Sequence, residues 1–472
     1  MRPSSAVTDS SLHRSDVSGR RDVGAPGGWL RPQLVWTLLL VSAICFEGLG
    51  RKLLTDVPAI FFYFLKDALL LVGLLKFGLP RAEMKAARFL YRGFGAALAA
   101  AFFWTLLQTL NSGQRAPALA VLGFRSYWLW WIAPIVVAGV LRDKRDRERA
   151  VIVLALVGVV VAVNAGIQFA EPAGTQSYAL YNGEEIVPVA TVATTGRARV
   201  SSTFSYISGF ADFAVLVPAL LLSFGLNASL RKVRVLAMAS TAVTVTVIPT
   251  TGSRSPVVLA IGTMALVIWS GGLMSRAARR AIVVALLAAA LAYVIGPEAI
   301  EGIQDRFGMD DTHNRFGEIL ELLPPFAISR NEHPRWGIGT GMQQNARVGL
   351  KIGSDWESEG EPGRYLVELG TLGYLLVWFA RLGLAVALLR AAAGLRRAKL
   401  GAIAGAAAAY AFFAVQGNLT FDHVFQALFF VGAGFLLAEV IGVQREAAAR
   451  VQAGVVRPVG PTAGVVSRWD QS

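Results

Sequence analysis

The feature that most constrains this chain is a recurrence of apolar runs, each about 15 to 25 residues long and each bounded by charges or turn residues. A helix rises about 1.5 Å per residue, so such runs suit a hydrocarbon core of roughly 30 Å. About twelve can be delimited. They run from Gln33 to Gly50, Val57 to Leu79, Gly93 to Leu110, Pro117 to Leu141, Ala150 to Ala170 and Ile207 to Leu226. The second half adds Val235 to Thr250, Pro256 to Leu273, Ala281 to Ile295, Tyr365 to Leu389, Gly401 to Val415 and Val424 to Ile441. With 54% hydrophobic and only 16% charged residues and a mean hydropathy of +0.53, the chain is too apolar for an ordinary soluble domain. The expectation is an all-α polytopic membrane protein of about 12 transmembrane helices, with a large extracytoplasmic loop between the ninth and tenth spans.

Cytoplasmic loops carry an excess of Lys and Arg, which tests orientation. With the N-terminus inside, the inner segments hold Arg81, Lys85, Arg88 and Arg92, then Arg142 to Arg149, Arg231 to Arg234, Arg276 to Arg280, and Arg390 to Lys399. The short outer loops hold only Arg51, Lys52, Arg115 and Arg254. Both termini are therefore expected in the cytoplasm and the active face outside. Residues 1–32 read as a disordered cytoplasmic tail, 33–443 as one membrane domain, and 444–472 as a second cytoplasmic tail. Two long connections, 171–206 and 296–364, fall on the outer side, and loops of that length are usually functional. In the larger one, Phe316, Ile319, Leu320 and Leu323 recur at helical spacing over Asn314 to Leu323, with Pro324 and Pro325 expected to stop that surface helix.

The net charge of +14 does not point to nucleic acid, because the basic residues sit in short clusters between apolar runs and form no basic face with interleaved aromatics. Cys45 is the single cysteine, so intrachain disulfides and multi-cysteine metal sites are excluded. The four histidines, His13, His313, His333 and His423, are isolated from one another, and Asp310, Asp311 and His313 read as a solvated turn. No nucleotide-binding glycine loop ending in Gly-Lys occurs. No cofactor is expected.

Arginines near the outer face carry the strongest chemical signal. Arg254 lies in Thr251-Gly252-Ser253-Arg254-Ser255 at the start of a span, where free backbone N–H groups favour an anion; snorkelling to lipid headgroups is the alternative. Arg197 and Arg199 precede the sixth span one residue apart, so in an extended segment their guanidinium forks share a face suited to phosphate. Arg125, deep in an aromatic span, needs a partner from another helix, and Asp67, Asp212 or Glu47 could supply a purely structural pair. At the entrance to the tenth span, Glu361, Arg364 and Glu368 bring carboxylates and a cation together, and an acid/base pair could be built there; Glu357 and Glu359 read as solvated.

In its span count, its outer loop and the order of Gly196 to Phe204, Thr251 to Ser255, Gly337-Ile338-Gly339-Thr340-Gly341 and Glu368-Leu369-Gly370-Thr371-Leu372-Gly373, the chain resembles the O-antigen ligase and O-antigen polymerase superfamily of bacterial membrane glycosyltransferases. The resemblance runs over most of the length. It implies a metal-independent enzyme that transfers a glycan from undecaprenyl pyrophosphate to an acceptor hydroxyl outside the cytoplasm. Its partners would be the lipid-linked oligosaccharide, membrane lipid, a flippase and a chain-length regulator, with no nucleic acid. On that reading Arg199, Arg254 and Arg364, with Arg125 and Arg197 behind them, would hold the pyrophosphate as charge develops on it, and Glu361 or Glu368 would take the acceptor proton.

The sequence departs from the ligases in one respect. They carry a His-Asn pair shortly before the Glu-x-Gly element, where this chain has Ser358-Glu359-Gly360-Glu361. That favours a polymerase of repeat units over a ligase. A transporter or flippase of lipid-linked oligosaccharide is the rival of another class, set back by the scatter of Lys66, Asp67, Arg125, Asp212 and Arg381 over the spans.

Overall fold

The computed structural model describes residues 31–54, 56–78, 94–171, 197–272, 275–308, 323–344 and 360–452, with residues 180–181, 185–186, 192, 352, 356 and 358 between them. The polar tails up to residue 30 and from 453, the Arg81 to Arg92 cluster, Asp310, Asp311, His313, the stretch 314–322, Glu357 and Glu359 lie outside the described residues. Every apolar run folds as helix, as its lack of polar side chains and its flanking turn residues require. The helices are α1 (Pro32–Cys45), α2 (Glu47–Leu53), α3 (Ala59–Phe77), α4 (Gly95–Gln108), α5 (Pro117–Trp128), α6 (Ala133–Val140), α7 (Lys144–Ala170) and α8 (Ile207–Asn227). They continue with α9 (Arg231–Thr246), α10 (Arg254–Ser270), α11 (Arg276–Ile295), α12 (Pro297–Gly308), α13 (Pro324–Arg330), α14 (Glu361–Arg397), α15 (Gly401–Gln416) and α16 (His423–Gln452). Two-residue strands, Leu180–Tyr181 and Glu185–Ile186, form a small antiparallel ladder.

Five helical segments are long and apolar enough to cross a membrane, or up to 7 if two bent pairs each count as one span. The bends were not anticipated. The first run breaks at Phe46, where α1 and α2 meet at 67°, and the ninth turns by 95° from α11 into α12. The fourth run is interrupted by a 3-10 turn, Leu129–Ile132, just before Pro134, which cannot donate a helical hydrogen bond. Pro324 and Pro325 open α13, where a missing N–H costs nothing in the first turn; the stretch they were expected to stop lies outside the described residues. The tenth helix starts at Glu361, ahead of the expected Tyr365, and α16 runs past the expected domain edge to Gln452.

The bundle is organised around α8 and the apolar part of α16, whose side chains are almost all buried, α8 against α9, α10 and α15 and α16 against α6 and α8. Its two ends differ in chemistry. At one end Arg147 pairs with Glu439 at 2.6 Å, and Ser229 donates its backbone N–H to Glu148 at 3.1 Å, drawing the starts of α7 and α9 to the far part of α16. At the other end α2, the start of α3, the segment 199–204 and the start of α16 come together. Leu49 donates its N–H to the Thr203 carbonyl at 2.7 Å, and the Lys52 ammonium reaches Ser201 Oγ at 3.0 Å.

Candidate functional site

This second end holds the residues singled out above, in three neighbouring groups. The first is built on a break in α14. Gly370 stands at φ 70°, ψ 179°, a conformation essentially reserved for glycine, so the helix cannot continue its hydrogen bonding through it. The carbonyls thereby released are taken by other parts of the chain. Ile338 N–H donates to Val367 O at 3.0 Å, Gly339 N–H to Glu368 O at 3.1 Å, and the Trp104 indole to Leu369 O at 2.9 Å. The two backbone donors belong to the Gly337–Gly341 loop, in which all three glycines have positive φ, and the indole comes from α4. The two glycine-rich motifs of the sequence are thus two sides of one crossing.

That crossing fixes Glu368. Its side chain is fully buried, one oxygen accepting the Gln343 N–H at 2.6 Å and the other the Tyr127 hydroxyl at 3.0 Å. Arg364, one turn earlier, is half-buried, donates to Ser358 O at 3.1 Å and lies over the Phe421 ring at 5.4 Å. Among the described residues it has no carboxylate within ion-pair distance. Glu361 is committed differently: one oxygen pairs with Arg381 at 2.7 Å while the other accepts the Tyr365 hydroxyl at 2.8 Å and the Thr420 N–H at 3.1 Å. Arg381 in turn donates to the Ala414 and Val415 carbonyls, each at 2.9 Å, which are among the carbonyls left over at the end of α15. Glu361 therefore serves as counter-charge to a helix cap.

The second group gathers at the start of α10. Arg199 donates Nε to the Thr251 carbonyl at 2.8 Å and Nη2 to Ser253 Oγ, while Val200 N–H bonds Thr250 O at 3.1 Å. Gly252, in the left-handed region, ends the 3-10 turn Ile248–Thr251 and lets α10 begin at Arg254. Ser253 occupies the N-cap position, but its hydroxyl receives Arg199, and among the described residues no side chain caps the first N–H groups of α10. Two arginines from separate stretches thus flank one helix N-terminus. Arg197 does not join them. It turns outward to Glu298 on α12, at 2.6 Å, and both side chains stay solvent-accessible.

The third group is a buried charge network that sequence spacing gave no means of finding. Arg125 on α5 donates Nε to Asp67 on α3 at 2.5 Å and Nη1 to the Tyr63 hydroxyl at 2.8 Å, and its guanidinium sits 4.4 Å from the Tyr63 ring centroid. Asp67 was one of three partners considered, and the structure selects it. Glu47 holds Lys66 and Arg51, the latter at 2.5 Å. Tyr63 lies 2.5 Å from Nε2 of His423 at the start of α16. The loop before His423 also links the groups: Phe421 packs on Tyr127 and Tyr365, and Asp422 caps α16 by accepting the Val424 and Phe425 N–H groups at 3.0 Å.

Lys52 was also missed. Its ammonium is buried and donates to Ser201 Oγ, with no carboxylate within ion-pair distance among the described residues. Only its position just after the first apolar run could have flagged it. Among the described residues, no three His, Cys, Asp or Glu side chains come together as a metal would need. In comparisons with known proteins, no family model matches the chain and no curated protein is significantly similar to it.

Proposed function

We propose that this chain is a metal-independent membrane glycosyltransferase that joins undecaprenyl-pyrophosphate-linked oligosaccharide units into a surface or secreted polysaccharide. The observation that carries the reading is the start of α10, capped by no side chain of the described residues, with Arg199 and Arg254 beside it. Backbone N–H groups at a helix start and planar guanidinium forks together suit a pyrophosphate, and they stabilise it further as it leaves with its bonding electrons. Arg364 would bring a further cation, and Glu368, one turn further along the same helix, a carboxylate. In this reading the bundle has about twelve spans, both termini are cytoplasmic, and the end carrying Arg199, Arg254 and Arg364 faces outward from a bacterial inner membrane. Release of the acceptor proton and departure of the lipid pyrophosphate balance the transfer, and no cofactor takes part.

One observation favours a transporter or flippase instead: Glu47, Lys66, Asp67 and Arg125, scattered in sequence, meet in one network. Each is already paired there, as structural charges in a membrane are. The deciding experiment deletes the gene and complements it with wild type, Arg254→Ala and Arg199→Lys, following glycan length, lipid-linked intermediates and protein level. Polymerase activity predicts loss of long glycan and accumulation of single lipid-linked repeat units on the outer leaflet, unrestored by Arg254→Ala. Accumulation of full-length unattached glycan would mean a ligase. Repeat units trapped on the cytoplasmic leaflet would mean a flippase, and an unchanged profile would end all three readings.

A further inference from the structure

At the opposite end of the bundle, α9 packs along α11, with the Thr246 hydroxyl reaching the Ala288 carbonyl at 3.3 Å. Beside the first three turns of α11 and the middle of α9 lies a slot of about 440 Å³ lined by Arg276, Arg279 and Arg280 together with Met238, Val283 and Val284. The arginines fall at i, i+3 and i+4, so they stand on one face of α11. All three are exposed, and among the described residues none has a hydrogen-bond or ion-pair partner. Toward the middle of the bundle the same helix shows bare apolar side chains: Val283 is 62% exposed, Leu286 65% and Leu287 52%.

We propose that this slot binds an anionic phospholipid, its headgroup phosphate held by Arg276, Arg279 and Arg280 and an acyl chain laid over Met238, Val283 and Val284. Charge clusters at a helix end are enough to orient a membrane protein, and orientation needs no concavity. Here the charges line a slot together with apolar side chains, and further along the same helix follow exposed apolar residues, the sequence of surfaces a phospholipid presents from headgroup to tail. A free phosphate would use the arginines and leave the apolar lining without a role. The proposal is independent of the glycosyltransferase reading, which concerns the other end of the bundle.

The test adds phosphatidylglycerol, or phosphatidylcholine with the same chains, to the purified full-length protein in a neutral detergent and counts retained lipid by native mass spectrometry. Wild type should keep one phosphatidylglycerol at least about tenfold more tightly than phosphatidylcholine. The triple variant Arg276→Gln, Arg279→Gln, Arg280→Gln should lose that preference. Val284→Trp keeps every charge and fills the slot, and should lose the lipid as well, so it decides the matter if the triple variant does not fold. Equal retention of the two lipids by wild type, retention of phosphatidylglycerol by Val284→Trp, or its displacement by millimolar inorganic phosphate would each overturn the proposal.

Discussion

Gly337 and Gly370 cross with no room for a side chain on either. A Cβ at Gly337 would lie 2.4 Å from the Glu368 carbonyl oxygen, and one at Gly370 2.5 Å from the Arg335 carbonyl oxygen. This contact is what lets the glycine loop supply hydrogen bonds to the broken turn of α14 and hold Glu368 against Gln343 and Tyr127.

Gly370→Ala should accordingly destabilise the protein by about 1–3 kcal/mol from backbone strain alone, with the clash added. Gly394→Ala, on the same helix and facing open space, should leave stability unchanged or slightly raised. Thermal unfolding in detergent distinguishes the two, and equal midpoints would contradict the crossing.

Arg381 and Glu361 should behave as one unit. Arg381→Met leaves a buried carboxylate and strips the end of α15 of its donors, a loss of about 3–5 kcal/mol. Adding Glu361→Gln should recover part of it. A double-mutant cycle measured by unfolding gives the coupling, and strict additivity would show the pair to be inert.

Tyr63→Phe removes one hydroxyl placed between Arg125 and His423 and keeps the ring under the guanidinium. A loss of about 1–3 kcal/mol is expected, because Arg125 is left with an unmet donor away from water. His423→Phe should cost less on the Arg125 side. Comparing the two unfolding midpoints checks the order.

Arg199→Lys keeps a charge and loses the fork that spans Thr251 and Ser253. If the start of α10 holds pyrophosphate, glycan output should fall about tenfold or more at normal protein level, and Arg254→Ala should reduce it further. Glycan length on gels, normalised to protein, reads the effect.

The Arg197–Glu298 pair joins the segment before α8 to α12 in solvent. The hydrogen bond from Arg197 holds the Glu298 carboxyl below the usual carboxylate range. Since the folded value is the lower one, the contribution is present above the ordinary glutamate value of about 4.3 and is lost as pH falls through the depressed one. Being solvent-accessible, it should be small and weaken with salt. Glu298→Gln should flatten the acid limb of the stability profile and leave neutral pH almost unchanged.

The sequence by itself determined that the apolar runs would be helices and where most of them lie, because hydrophobicity and flanking charge act locally. It also marked Arg199, Arg254, Arg364 and Glu368, since an arginine or carboxylate beside an apolar run stands out without knowledge of its neighbours. It could not supply the bend at Phe46, the start of α13 at Pro324 or the opening of α14 at Gly370, because each depends on what packs across the break. Only the tertiary structure decided that Glu361 neutralises Arg381, that Arg125 takes Asp67, that Arg197 leaves Arg199 for Glu298, and that Tyr63 meets His423 across 360 residues. The reason is physical: desolvated charges must find partners, and in a helical bundle those partners come from helices far apart in the chain.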